Sequence, residues 1–126
     1  MSKTILIVDD EKINRVLIKK IISRINDKKI TIIEAETGSE AVSLLEKHKF
    51  DVVLLDLLLP DVNGITLIKK ILQNNKEIKL FIVSALSKKE AGLNGLLSKN
   101  VKYISKPFDI NFFKESLQEA LSNEPF

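Results

Sequence analysis

Five short, mainly apolar runs recur along this chain of 126 residues, and helical patterns separate them. A run that is apolar at nearly every position is typical of a strand buried on both faces of a parallel sheet. The sequence therefore predicts five strands, which lie at residues 5–8, 30–35, 52–55, 78–83 and 101–104.

The segments between these runs carry apolar residues three and four positions apart, which predicts amphipathic helices. Five helices are expected, at residues 13–25, 41–45, 65–72, 91–97 and 109–121, and the fourth is the weakest because Gly92 and Gly95 interrupt it. The inner faces of the first and last helices are expected to carry Ile13, Leu17, Ile18, Ile21, Ile22 and Ile25, and Phe112, Phe113, Leu117, Ala120 and Leu121.

Strands that alternate with helices need right-handed crossovers and give a mainly parallel sheet covered on both faces. The predicted fold is α/β, a doubly wound five-stranded parallel sheet with five helices. We expect a single domain over residues 1–126, structured to about residue 121 and followed by a tail at 122–126. Met1 stands directly before the first strand, which favours a stand-alone chain.

Composition removes several classes of function. The chain has no cysteine and one histidine, so thiolate chemistry and multi-histidine metal sites are excluded. Its net charge of +3 comes from scattered lysines rather than a basic stripe, so we expect no direct nucleic-acid binding. No apolar run approaches the roughly 20 residues of a membrane span, and none resembles a signal-peptide core, so we expect a cytoplasmic protein without membrane contact.

Polar residues stand where four of the five strands end. Asp9 and Asp10 follow the first strand, Asp56 the third, Ser84 the fourth, and Lys106 lies just beyond the fifth. Taken singly, such an acid is more often a helix N-cap and such a serine a turn residue. The carboxyl ends of parallel strands meet at one edge of the sheet, where ligands bind, so the four positions together predict a site.

The chemistry of these residues indicates phosphoryl transfer. Three carboxylates at one edge repel one another unless a cation lies between them. Oxygen ligands without histidine or cysteine suit a hard ion such as Mg²⁺ that also binds phosphate. A carboxylate nucleophile, a metal ion, a lysine and a hydroxyl are the groups that phosphoryl transfer to an aspartate requires.

Four stretches of the sequence resemble the response-regulator receiver domain of two-component signalling: ILIVDDEKINR, FDVVLLDLLLPDVNG, LFIVSALS and YISKPFD. The resemblance covers nearly the whole chain and implies a flavodoxin-like sheet of strand order 2-1-3-4-5. It implies that Asp56 is the phosphoacceptor. It also implies a Mg²⁺ (or Mn²⁺) ion bound by Asp10, Asp56 and the backbone carbonyl of Leu58, with Asp9 acting through a bound water.

The resemblance also implies how the domain signals. Ser84 and Lys106 would contact the phosphoryl oxygens, and Tyr103 would turn inward as the aromatic switch when Ser84 is drawn to the phosphate. That motion would change the face made by the fourth predicted helix, the fifth strand and the last helix, which binds a downstream protein. The phosphoryl donor would be a histidine kinase or a histidine phosphotransfer protein. Such a domain is not an enzyme with a separate substrate, because it catalyses only its own phosphorylation and dephosphorylation.

Two positions beside the acceptor site carry leucine, which is apolar. Leu58 and Leu86 lie two residues after Asp56 and Ser84, where the family's side chains affect how water reaches the phosphoryl group. Leucines cannot orient a water molecule for in-line attack, so we expect slow loss of the phosphoryl group. The alternative is that both leucines only pack within their loops.

Three other functions are considered. A phosphohydrolase with an aspartate nucleophile usually has Asp-x-Asp after its first strand, whereas here the two acids are adjacent and the nucleophile follows the third strand. A nucleotide- or flavin-binding domain needs glycines after the first strand, and residues 9–12 contain none. A docking-only receiver would lack acceptor-site residues, and this chain has all of them.

Overall fold

The structure is a computed structural model that describes residues 2–25, 29–74, 77–85 and 100–122. Its five strands are β1 (Ser2–Val8), β2 (Lys29–Ala35), β3 (Val52–Leu55), β4 (Lys79–Ser84) and β5 (Val101–Ser105). Four helices lie in the described ranges, α1 (Lys12–Ser23), α2 (Gly38–Lys47), α3 (Gly64–Asn74) and α4 (Ile110–Leu121). The helix predicted at 91–97 and Leu86 lie outside the described residues.

The strands form one parallel sheet in the order β2-β1-β3-β4-β5, which confirms the predicted topology and strand order. The register pairs Val8 of β1 with Ala35 of β2 and with Leu55 of β3. Ser84 of β4 pairs with Ser105 of β5. The polar residues that follow these strands therefore emerge at the same edge of the sheet.

Alternate residues of the strands supply two apolar layers, one on each face of the sheet. Leu6 and Val8 point into the layer that α2 and α3 cover, whereas Ile5 and Ile7 point into the layer that α1 and α4 cover. All four of these side chains are fully buried. The continuous apolar runs of the sequence are explained by this double burial.

The prediction of a buried position on an inner helix face is wrong for three side chains. Ile13 is 74% exposed, Leu17 is 39% exposed and Phe112 is 57% exposed. Ile13 and Phe112 lie in the first turns of α1 and α4, next to the loops at the sheet's polar edge. A helix stripe predicts burial only where another element covers it, and beyond the strand ends the sheet no longer does.

Candidate functional site

The acids of the site are held by the ends of the sheet itself. Asp9 continues the β1–β2 ladder by donating its backbone N–H to Ala35 O at 3.1 Å, and Asp56 donates to Val8 O at 2.9 Å. Both side chains are nearly fully buried, with 2% and 6% of each residue exposed. Because the backbone is fixed by ladder hydrogen bonds, the two carboxylates emerge side by side from neighbouring strands.

Lys106 lies between the two buried carboxylates. Its Nζ donates to Asp56 Oδ2 at 2.9 Å and lies 3.5 Å from Asp9 Oδ2. Partial burial acts to lower the pKa of Lys106, but the hydrogen bond and charge of Asp56 and the charge of Asp9 outweigh it, so the pKa is raised. The ammonium therefore stays charged and balances the repulsion between the two acids.

The remaining oxygen of each carboxylate accepts a backbone hydrogen bond from its own loop. Asp9 Oδ1 accepts from Glu11 N–H, and Asp56 Oδ1 accepts from Leu58 N–H, both at 2.9 Å. Each carboxylate is thus held on one oxygen by the backbone and faces Lys106 with the other. A buried carboxylate without such partners would carry a large desolvation cost.

Ser84 and Lys106 are joined through the backbone at the ends of β4 and β5. Lys106 N–H donates to Ser84 O at 2.8 Å, and the Ser84 side chain is fully buried at the same edge of the sheet. The Lys106–Pro107 peptide bond is cis. Tyr103 lies inward in this structure, with its ring against the α2–α3 layer and its hydroxyl oxygen buried.

The residues at this edge fit a hard divalent cation in the type of their donors, which are carboxylate and carbonyl oxygens. The carboxylates of Asp9 and Asp56 already converge on one cation, the Lys106 ammonium. Asp10 is exposed, and within the described ranges no three acidic or histidine side chains are gathered as a metal centre. The metal-binding roles of Asp10 and of the Leu58 carbonyl stay predictions.

The loop after Asp56 is tied to the next layer of the fold. Asp61 accepts hydrogen bonds from Gly38 N–H at 2.8 Å and Ser39 N–H at 3.0 Å, so it caps α2 from another loop. These two bonds lower the pKa of Asp61. Gly64 begins α3 so close to this loop that an added Cβ would lie 2.8 Å from Leu57. Leu58 lies in this loop between Leu57 and Asp61, and it is 53% exposed beside the acceptor.

Two features of the site were missed in the sequence. Arg15 of α1 is 5% exposed and donates from Nη1 to the backbone carbonyl of Asp9 at 2.6 Å. An apolar cavity of about 250 Å³ also opens beside Lys106, on the side where Leu17 is partly exposed. The cavity is lined by Asn14, Leu17, Ile18, Lys106, Pro107, Phe108 and Ile110. A basic residue at one position of a mainly apolar helix stripe is the signal that marks Arg15.

The fold and the site together define a doubly wound α/β domain with a buried acid pair and a lysine at the carboxyl edge of its sheet. The sequence profile described as "Response regulator receiver domain" matches residues 5–118. The chain therefore belongs to the response regulator receiver domain family of two-component signalling. Across the residues that the structure describes, no helix is long and apolar enough to cross a membrane.

Proteins similar to this one match along nearly the whole of its chain. Chemotaxis protein CheY of Bacillus subtilis (strain 168) is 30% identical over 122 residues, which cover 97% of this chain and all of that protein. The receiver domain protein (CheY-like) from Methanospirillum hungatei has a TM-score of 0.83 at 27% identity, with 94% and 93% of the two chains covered. Thermotoga maritima TrrA, solved in complex with Mg²⁺-BeF, has a TM-score of 0.80 at 28% identity, with 94% and 99% covered.

Proposed function

We propose that this receiver accepts a phosphoryl group on Asp56 from a histidine kinase or a histidine phosphotransfer protein, in a reaction that depends on Mg²⁺ (or Mn²⁺). The observation that carries the proposal is the Lys106 ammonium, 2.9 Å from the buried Asp56 carboxylate and 3.5 Å from that of Asp9. A buried carboxylate beside a fixed cation is suited to nucleophilic attack on a phosphoryl group, because the added charge is balanced as it arrives.

In the proposed reaction an oxygen of Asp56 forms a bond to phosphorus as the phosphorus–nitrogen bond of the donor's phosphohistidine breaks. The electron pair of the broken bond stays with the imidazole, which leaves. When bound by Asp10, Asp56 and the Leu58 carbonyl, with Asp9 acting through water, the metal ion supplies charge neutralisation. The Lys106 ammonium gives up its hydrogen bond to Asp56 Oδ2 and, like the Ser84 hydroxyl, donates to phosphoryl oxygens instead.

The proposed output is a change in the face that contains β5 and α4. Tyr103 on β5 is the proposed switch residue. It lies three residues before Lys106 in the sequence, so strand β5 connects the site to this face. The downstream partner is a protein rather than a nucleic acid. We propose that residues 1–126 act in the cytoplasm as one signalling domain, which catalyses only its own phosphorylation and dephosphorylation.

The experiment that tests this function is intact mass spectrometry of the chain after incubation with Mg²⁺ and a small acyl-phosphate donor. We expect a gain of one phosphoryl group that disappears when the metal is chelated. No gain under conditions that label a known active receiver would overturn the proposal and favour a docking-only receiver.

A slow loss of the phosphoryl group is expected from Leu58. Its exposed apolar side chain lies beside Asp56 and cannot orient a water molecule. The change Leu58→Asn supplies an amide that can position water, and we expect it to shorten the phosphoryl lifetime about tenfold, or ~1.4 kcal/mol of activation free energy. The measurement is the decay of the phosphorylated mass after the donor is removed.

The matched control for this variant is Leu58→Met, which keeps an apolar side chain of similar size and should leave the lifetime unchanged. A wild-type lifetime equal to or shorter than that of Leu58→Asn would mean that Leu58 only packs within its loop.

A further inference from the structure

Arg15 makes the single side-chain contact in the described hydrogen-bond network that reaches the backbone between Asp9 and Asp10, the two acids that follow β1. Its Nη1 donates to the carbonyl oxygen of Asp9, at 2.6 Å, although the residue belongs to α1. That carbonyl is part of the peptide bond that joins Asp9 to Asp10, and a peptide unit is planar. Fixing the carbonyl therefore fixes the direction in which the chain enters Asp10.

The other side of Asp10 is fixed as well. Glu11 N–H donates to Asp9 Oδ1 at 2.9 Å, so the peptide units before and after Asp10 each carry a hydrogen bond to a buried group. Asp10 itself is exposed. Its carboxylate is thus presented by a backbone that Arg15 and Asp9 hold, while the side chain stays open to a ligand.

The guanidinium is neutralised away from the site. Arg15 Nε lies 3.0 Å from Glu34 Oε1, and Nη2 lies 3.0 Å from Glu36 Oε1. The hydrogen bond from Lys19 at 3.0 Å lowers the pKa of Glu34, and Arg15 adds to this against the opposing effect of burial. The ion pairs with Glu34, which Lys19 shares, and with Glu36 therefore offset the charge of Arg15, and its Nη1 acts as a hydrogen-bond donor to the Asp9 carbonyl.

We propose that Arg15 is a positioning residue for the cation at this site, one that holds the Asp9–Asp10 peptide so that Asp10 can bind the metal ion. The inference rests on the proposed function, since it assigns a role within the same site. Groups that orient metal ligands without touching the metal commonly change its affinity by about 10–100-fold when they are removed.

The expected change in Mg²⁺ affinity has the opposite sign to the change that loss of the Arg15 charge alone would cause. If Arg15 acted only through its positive charge, removing it would lower the repulsion felt by a divalent cation and tighten binding. If it positions Asp10, removing it weakens binding because the ligand carboxylate is no longer held. The direction of the change in Mg²⁺ affinity therefore separates the two roles.

The test is Mg²⁺ titration of the full chain, followed by the amide NMR signals of Asp9, Asp10 and Glu11, in wild type, Arg15→Met, Arg15→Lys and Lys19→Met. Lys19→Met is the matched control, because Lys19 contacts Glu34 but makes no described contact with Asp9. We expect the Mg²⁺ dissociation constant to rise about tenfold in Arg15→Met and by less in Arg15→Lys, and to stay within about twofold in Lys19→Met.

The outcomes are distinct. Folded Arg15→Met that binds Mg²⁺ as tightly as wild type, or more tightly, overturns the inference and leaves the proposed function intact. A wild-type chain that binds no Mg²⁺ overturns the proposed function and this inference with it. If Arg15→Met does not fold, Arg15→Lys decides, because it keeps the charge and loses the multiple contacts: weaker binding supports the positioning role, and unchanged binding overturns it.

Discussion

Replacing Asp56 by asparagine is expected to abolish the Mg²⁺-dependent gain of a phosphoryl group while leaving the fold intact. The asparagine amide cannot form an acyl phosphate, because its nitrogen replaces the attacking carboxylate oxygen. Its carbonyl oxygen can still accept the hydrogen bond that Asp56 Oδ1 accepts from Leu58 N–H at 2.9 Å. The loss should therefore be complete in intact mass, with the circular dichroism spectrum unchanged.

Two further variants make this result specific. Asp109→Asn removes a different carboxylate, the α4 N-cap that accepts from Phe112 N–H, and asparagine caps helices equally well, so it should label as wild type does. Asp10→Asn keeps the acceptor but removes a proposed metal ligand, so it should still label, more slowly and at higher Mg²⁺ concentration. Labelling of Asp56→Asn to the wild-type level would place the acceptor elsewhere.

Replacing Lys106 by methionine is expected to lower the free energy of unfolding, and to lower it most when no metal ion is present. Lys106 is the cation between the buried carboxylates of Asp9 and Asp56, and methionine leaves both without a counter-charge. Breaking a fully buried pair costs about 3–5 kcal/mol, and the partial exposure of Lys106 reduces this to about 2 kcal/mol of unfolding free energy. The phosphorylation rate should also fall about 100-fold, because a donor to the phosphoryl oxygens is lost.

The stability of this variant is measured by urea unfolding in chelator and in Mg²⁺. We expect Mg²⁺ to stabilise Lys106→Met more than wild type, because an ion bound by Asp10 and Asp56, as proposed, supplies the positive charge beside Asp56 that the missing ammonium no longer supplies. The matched control is Lys102→Met on the same strand, since Lys102 pairs with exposed Glu119 at 3.7 Å and such a pair contributes at most about 1 kcal/mol. Equal Mg²⁺ stabilisation of wild type and Lys106→Met would contradict the proposed binding of the ion by Asp56.

The sequence was sufficient to predict the sheet and its polar edge. The strands could be found because double burial leaves continuous apolar runs, and the site residues stand directly after those runs, where strand direction alone places them together. The structure brings Asp9, Asp56 and Lys106 together at this edge. The strand order followed from the family resemblance, because the runs themselves do not say which strands are neighbours.

What the sequence did not predict depends on contacts between distant elements. Arg15 reaches Asp9, Glu34 and Glu36, which come from the loop after β1, from β2 and from the loop after β2, and only their positions in space reveal the network. Ile13 and Phe112 are exposed because their helices begin at the edge of the sheet, where helix periodicity gives no information about cover. The bond from Asp61 to the start of α2 crosses 23 positions of sequence and has no local pattern.

The double burial of β1 has one more consequence, for strand alignment. In a strand with one solvent-exposed face, a shift by one residue relative to its neighbours would expose its apolar side chains, so burial alone defines the alignment. In β1 both faces are apolar, and a shift by one residue would only exchange Ile5 and Ile7 with Leu6 and Val8 between the layers. The same shift would move Asp9 by about 3.3 Å along the sheet, into the apolar interior or away from Lys106. The acids at the strand ends therefore mark the correct alignment of the sheet, and the residues proposed for signalling also help the chain to select one fold.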